Sequence, residues 1–312
     1  MVKTKLIVGF IFFISLYVCA CLDLEHKGQG NDIPTKGELS IAFDINDSLM
    51  FVQLIDRFQE LYPQTHISAV FMRPYQILAA VRDKKLAAMF FNYQYDTQTI
   101  KELESRNIKV RFHALAETST AFIVHKRNPN NRISSDTLSR ILQGEEIGWK
   151  GLSIPLECVF LKNDLVFNNF TDWMRKRVKS SSKVPHIKRV IQCDNVGAVF
   201  AYVQSHPGAL GFVGLNWIAD RGDTLAKHLR QSVKVLAVEN ENTHEFHLPY
   251  QSQVSAKQYP FVAPVIGYDL QGYNGLAAGF LSFCCDQGGQ IIVKKCGLSP
   301  FSPPARTILL EN

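Results

Sequence analysis

The chain is short of the features that announce catalysis. It has no Gly-x-Ser-x-Gly elbow and no Gly-x-x-x-x-Gly-Lys-Ser/Thr loop. Neither a strained serine nucleophile nor a phosphate-cradling NTPase loop is therefore encoded. Its seven cysteines form no Cys-x-x-Cys pair and no His-x-x-x-His accompanies them, which removes the usual ligand spacings of a zinc site. The closest histidine pair, His244-x-x-His247, lies in the polar stretch Glu239–His247 and reads as a solvated loop. No Lys/Arg block is long enough for a nucleic-acid stripe. The densest cluster, Arg175-Lys176-Arg177 with Lys179, reads as the exposed end of a helix, where cations suit the dipole. Internal repeats and low-complexity segments are absent. Only one long apolar run occurs, Leu6 to Ala20, and it is shorter than the ~20 residues of an ordinary spanning helix.

That run has a different use. Lys3 and Lys5 precede it, and Val18-Cys19-Ala20-Cys21 closes it with small residues. A basic start, a short apolar core and a small-residue cleavage site make a secretory signal peptide over residues 1–20. The ending resembles a bacterial lipobox, with cleavage before Cys21 and lipid attached to that cysteine; an uncleaved anchor or an ordinary signal peptide would equally place the body outside the cytoplasm. Residues 21–36 are polar and glycine-containing, as suits a tether. Removing residues 1–20 takes away two lysines and no acid, so the net charge falls from +6 to +4. About two domains' worth of chain remains, at ~150 residues each. It is 46% hydrophobic over the whole sequence, enough to fill real cores. Cys158, Cys193, Cys284, Cys285 and Cys296 are expected to pack as buried thiols, although the outside compartment permits disulfides.

Along the chain, short apolar segments alternate with amphipathic ones. Strands are expected at 39–43, 66–71, 86–91 and 110–116, with helices at 48–62, 74–82 and 96–106 between them. This βαβαβαβ pattern implies a parallel sheet covered by helices. A second lobe is expected to begin near Ala116, with strands at 120–125 and 156–161 and helices at 135–143, 166–178 and 195–205. The stretch His206-Pro207-Gly208-Ala209-Leu210-Gly211-Phe212-Val213-Gly214 reads as a helix end, a tight turn and a closely packed strand. Val233 to Val238 is expected to return to the first lobe. One C-terminal helix over 276–294 and a last strand over 306–310 complete the pattern. Phe90 reads as core, whereas Phe91 and Tyr93 fit either the core or the mouth of a cleft.

Four segments, in order, resemble the phosphate-binding proteins that serve phosphate ABC transporters. They are Ala121–Pro129, Leu138–Gly144 with Trp149, Pro207–Gly214, and Tyr259-Pro260 with Gly279–Phe283, Gly288–Val293 and Gly297–Pro300. The lipobox and the Phe212–Trp217 continuation are most similar to a divergent lipoprotein branch of Bacteroidota envelopes. The resemblance implies an α/β, type II periplasmic-binding-protein fold, with two α/β lobes joined by two crossover strands. Lobe 1 would hold residues 37–115 and 236–312, and lobe 2 residues 116–235. It also implies a non-enzymatic, cofactor-free protein, anchored through Cys21 to the cell envelope (periplasm or outer membrane) and capturing phosphate or another small anion or polar solute for a membrane transporter.

The loops that should hold the ligand depart from the family pattern. A Gly/Ser/Thr-rich turn is replaced by Asp44-Ile45-Asn46-Asp47-Ser48, which places two acids near an anion site. A Gly-Ser-Gly cluster is replaced by Met72-Arg73-Pro74-Tyr75. The third loop is Phe91-Asn92-Tyr93. An Arg followed by Ser-Gly-Thr is replaced by Leu161-Lys162-Asn163-Asp164. The candidate ligand-binding residues are therefore Ser48, Arg73, Asn92, Lys162 and Asn163. Arg73 and Lys162 read equally well as solvated surface charges, and a lysine does not replace the planar fork of an arginine. Three outcomes stay open: an altered small-anion or polar-ligand site, a scaffold that has lost small-ligand binding and become an envelope partner protein, or ordinary phosphate binding.

Overall fold

A computed structural model describes residues 32–82, 86–145, 147–178 and 187–302. The expected signal peptide, Cys21 and the expected strand at 306–310 lie outside the described residues. The chain opens with β1 (Gly37–Asp44), a 3-10 turn at Ile45–Asp47, α1 (Ser48–Leu61), β2 (Thr65–Met72), α2 (Pro74–Arg82), β3 (Ala88–Phe91) and α3 (Thr97–Ser105). It continues with β4 (Arg111–Val124), β5 (Arg132–Ile133), α4 (Ser135–Leu142), β6 (Glu157–Leu161), α5 (Leu165–Val178), β7 (Val190–Cys193), α6 (Val196–Ser205) and β8 (Ala209–Gly214). Next come α7 (Asn216–Ala219), α8 (Thr224–Ser232), β9 (Lys234–Val235), β10 (Ala237–Glu239), β11 (Phe246–His247) and α9 (Gln251–Ser255). β12 (Val262–Asp269), α10 (Leu276–Cys285), α11 (Gln287–Lys295) and β13 (Ser299–Pro300) end the described chain.

The main sheet runs β2-β1-β3-β12-β4-β8-β6-β7. β1, β2 and β3 are parallel, as are β8, β6 and β7. Each parallel group is one lobe. β4 is not the fourth parallel strand that the βαβ pattern suggests, because β12 inserts antiparallel between it and β3. β4 is also one strand and not two. Its Arg111–Ser119 half pairs with β12 and its Thr120–Val124 half with β8. The polar run Glu117–Thr120 looks like a break in the sequence, yet Thr118, Ser119 and Thr120 are buried within the ladder. Lys234–Val235 pairs with Ile123–Val124 and Ala237–Val238 pairs with Arg132–Ile133. The segment expected to return to lobe 1 thus stays in lobe 2, and the return passage lies between β11 and β12.

Local chemistry accounts for the elements. In α1, Met50, Phe51, Leu54, Ile55 and Phe58 recur at three- and four-residue spacing and are buried. Tyr62-Pro63 ends that helix, since proline cannot continue it. β8 is buried at all six positions, as expected of a strand covered on both faces. Trp149 donates its indole N–H to the Gly208 carbonyl at 2.9 Å, so two of the family-like segments meet at the turn before β8. The expected single C-terminal helix is two helices, α10 and α11, bent by 62°. Asp286 makes the break by accepting from the Gly289 N–H at 3.0 Å and capping α11.

Residues 32–36, assigned to the tether on sequence, are docked on lobe 1. The Asp32 carboxylate accepts from Tyr273 Oη at 2.6 Å and from the Leu276 N–H at 2.6 Å. Phe90 stacks on Phe43 with centroids 5.1 Å apart. Phe91 is core as well, stacked on Tyr268 at 5.3 Å, whereas Tyr93 is exposed. Cys158, Cys193, Cys284, Cys285 and Cys296 are free thiols; four are buried and Cys285 is partly exposed.

Candidate functional site at the junction of the lobes

Open parallel sheets place ligands beyond the carboxyl ends of their strands. Here those ends bring together Asp44 at the end of β1, Asn46 and Asp47 in the 3-10 turn, and Asn92 after β3. From lobe 2 come Asp164 before α5 and Asn216 and Trp217 in α7. Asp44, Asn46, Asp47, Asn92, Asp164 and Asn216 are all buried. Asn46 is the hub. Its Nδ2 donates to Asp44 Oδ1 at 3.0 Å and to Asp164 Oδ1 at 2.5 Å. Its Oδ1 accepts from the Trp217 indole N–H at 3.3 Å. Gly214, the last residue of β8, makes this approach possible: a Cβ there would stand 3.1 Å from Asn46 Cβ.

Further bonds cross between the lobes. Asn169 Nδ2 donates to the Asn92 carbonyl at 2.9 Å, and Gln53 Nε2 to Asp220 Oδ2 at 2.9 Å. Arg73 donates to the Asp194 carbonyl at 2.7 Å. The two lobes therefore touch directly.

Two 14-residue helices, α1 and α5, begin at this junction. Free N–H groups at such ends ordinarily suit an anion. In this chain a polar side chain stands at each of them. Asn216 Oδ1 accepts from the Met50 N–H in the first turn of α1 at 3.2 Å. The N–H groups of Leu165 and Val166 at the start of α5 lie close enough to the Asp164 carboxyl to temper the rise in its pKa. Asp47, the N-cap of α1, makes no capping bond. Both of its oxygens are buried without a partner, as are Asp44 Oδ2, both side-chain polar atoms of Asn92, Asn216 Nδ2 and the hydroxyls of Thr118 and Ser119. Buried polar groups are normally satisfied, so the concentration of orphans at one junction marks it.

The electrostatics follow from burial. Burial pushes the Asp44 carboxyl up to about 6, against the pull of the Asn46 N–H and amide. Burial, with the Asp44 charge, pushes Asp164 up to about 8. Asp47 is raised well above the carboxylate range by burial and then by Asp44. The nearby Asn92 amide tempers that rise without reaching hydrogen-bonding geometry.

Of the residues singled out on sequence, Asn92 joins the cluster. Arg73 sits at its edge, spending a guanidinium N–H on Asp194 across the junction. Ser48 is half-buried at the start of α1, and Lys162 and Asn163 are exposed, Asn163 with a left-handed φ of 56°. Sequence reasoning passed over Asn46, Asp164, Asn216 and Trp217. It noted Asp44 and Asp47 only as obstacles to an anion. An acid just before each of two cleft-facing helices was the available signal.

The two large described cavities lie elsewhere. One, of about 1030 Å³, is rimmed by Lys126, Arg221, Arg230, Lys234, Lys294 and Lys295. The other, of about 720 Å³, lies beside Asp32 and Tyr273. Among the described residues no group of three or more His, Cys, Asp or Glu side chains is placed to hold a metal ion.

Two lobes that share a through-strand and meet over a buried polar cluster define a fold of the periplasmic-binding-protein class. The chain belongs to the PBP superfamily domain family, which matches residues 31–287. No curated protein matches it. Among solved structures it is similar to a protein of Clostridium perfringens described as a phosphate ABC transporter substrate-binding protein with bound phosphate. That match has 16% identity and a TM-score of 0.67, and covers 85% of this chain and 100% of the other. It is also similar to the high-affinity periplasmic phosphate-binding protein PfluDING, at 11% identity and TM-score 0.64, with coverage of 86% and 91%. A third, the ABC-type phosphate transport receptor of Vibrio cholerae, shares 14% identity and TM-score 0.61, with coverage of 85% and 100%. At these identities the likeness speaks for the fold, which is the two-lobed α/β fold expected from the sequence.

Proposed function

We propose that this protein is a non-enzymatic, extracytoplasmic binding protein, lipid-anchored through Cys21, that takes a small polar solute between its lobes for delivery to a membrane transporter. The observation that carries this reading is the set of buried, unpartnered polar atoms at the interlobe junction, where the fold places ligands. The family membership and the phosphate-binding proteins among its structural relatives support a solute-binding role. Calorimetric titration of the detergent-solubilised full chain against oxyanions, amines and polyols tests it. Saturable heat from at least one class is expected, and silence from all of them at millimolar concentration would sink the reading. The anchor has its own check: Cys21→Ser should move the protein from the membrane fraction to the soluble one.

A second reading draws on a specific observation. The lobes are already bonded to each other, and the Met50 N–H at the start of α1 is engaged by Asn216. On that account the scaffold serves as an envelope interaction lipoprotein, with the cationic groove at Arg221, Arg230 and Lys294 as its contact face. Gentle solubilisation followed by co-purification would then return a stoichiometric partner.

A further inference from the structure

We propose that the interlobe cluster is a receptor for a small organic cation carrying several N–H donors, an alkylammonium or guanidinium group, and not for an oxyanion. The proposal rests on the reading of the junction as the solute site and assigns the class of solute.

The supply of donors and acceptors carries it. Asp44 Oδ2, both oxygens of Asp47 and Asn92 Oδ1 are buried and unpartnered, and acceptors are in excess once the carboxyls ionise. Against them stand the Nδ2 groups of Asn92 and Asn216 and the hydroxyls of Thr118 and Ser119, which donate or accept. An incoming oxyanion would find the Met50 N–H of α1 engaged by Asn216 and the Asp164 carboxyl standing just before α5. It would face three carboxyls, with no cation inside the cluster to offset them. Arg73 is turned to the Asp194 carbonyl, and Lys162 is exposed. The carboxyl group is charge-selective in the opposite sense. A buried carboxylate is costly unless a positive partner sits beside it, and a bound ammonium or guanidinium would be that partner. Asn92 and Asn216 are independent of the acids. Each is at least nine-tenths buried; Asn92 has both amide atoms unpartnered and Asn216 its Nδ2, and Asn92 stands beside Asp47. Such side chains are retained where something else completes their hydrogen bonds. A neutral polyol could supply donors but would leave the acids without a counter-charge. A metal ion lacks a ligand set among the described residues.

The proposal fixes the proton traffic as well. The titratable groups facing the cluster are Asp44 from β1, Asp47 from the 3-10 turn and Asp164 from the start of α5; α7 and the end of β3 contribute amides and an indole. A bound cation favours the ionised carboxyls, so binding releases protons. Affinity should then rise by up to about tenfold per pH unit per proton released between pH 6 and 8. A bound oxyanion would take protons up, and its affinity would fall over the same range.

The test is calorimetry on the detergent-solubilised full chain with methylammonium, guanidinium and 1,4-diaminobutane chlorides, against inorganic phosphate and xylitol. Each titration is run in two buffers of different ionisation enthalpy. Binding of at least one cation with net proton release supports the proposal. So does its loss, by tenfold or more, in Asp47→Asn and independently in Asp164→Asn, each with an unchanged far-UV spectrum. Phosphate or xylitol binding in place of the cations overturns the assigned class and leaves the solute-binding reading standing. Silence from every probe overturns both.

Discussion

Replacing Asp47 by Asn keeps the shape of a side chain that has no hydrogen-bonding partner and removes its capacity for charge. A buried carboxyl without a counter-ion destabilises the fold that holds it. Asp47→Asn should therefore raise the urea midpoint at pH 8. A gain in stability would set it apart from an ordinary core substitution, most of which destabilise. The three acids also fix the sign of the pH dependence. Their native-state values lie above those of an unfolded carboxyl, with Asp44 near 6 and Asp164 near 8. The folded state then binds more protons than the unfolded one from about pH 4 up to about pH 8, and stability falls as pH rises over that range. The thermal unfolding midpoint should decline steadily from pH 5 to pH 8. A midpoint that climbs over that range would contradict the buried triad. At this scale the sequence was legible in part. Asp44 and Asp47 were visible as misfits for an anion, but Asn46 was not, because its role depends on reaching Asp164, 118 residues away. Asn216 was hidden for the same reason: it engages the first turn of α1 across the junction.

Among the elements, the turn and strand over 206–214 were the easiest to foresee, because proline and glycine leave few alternatives for the backbone. The structure adds why the strand needs its glycine. A Cβ on Gly211 would lie 2.6 Å from Ile123 Cγ1 and 2.8 Å from Val203 Cγ2, between β4 and α6. Gly211→Ala should cost about 1–3 kcal/mol, measured by chemical denaturation, with the secondary structure kept. β4 shows the opposite case. Its central Glu117–Thr120 segment has the polarity of a loop, and only its partners in β12 and β8 make it a strand. The bend at Asp286 was missed because the apolar pattern runs through it. A capping bond to the Gly289 N–H overrides that pattern.

For the molecule as a whole, the lobes are linked by the side chains of Asn46, Gln53, Arg73 and Asn169. Asn46→Ala removes the contacts to both Asp164 and Trp217. It should loosen the junction, seen as a larger radius of gyration in solution scattering and a shift in tryptophan emission; an unchanged profile would place the closure elsewhere. The two-lobed architecture was readable from alternating segments and ordered motifs, since those depend on local pattern. The position of β12 between β3 and β4 was not, because no local signal says which strands will be neighbours. The free thiols give the fold one more property. Burial raises the thiols of Cys158, Cys284 and Cys296, and a thiol that stays protonated and covered reacts slowly. Cys285 alone among the described cysteines is partly open. A brief pulse of alkylating reagent should therefore divide the described part of the chain into two mass populations: native molecules tagged at most at Cys285, and opened ones tagged at all five cysteines. The ratio of the two would count the folded fraction directly, with no engineered reporter.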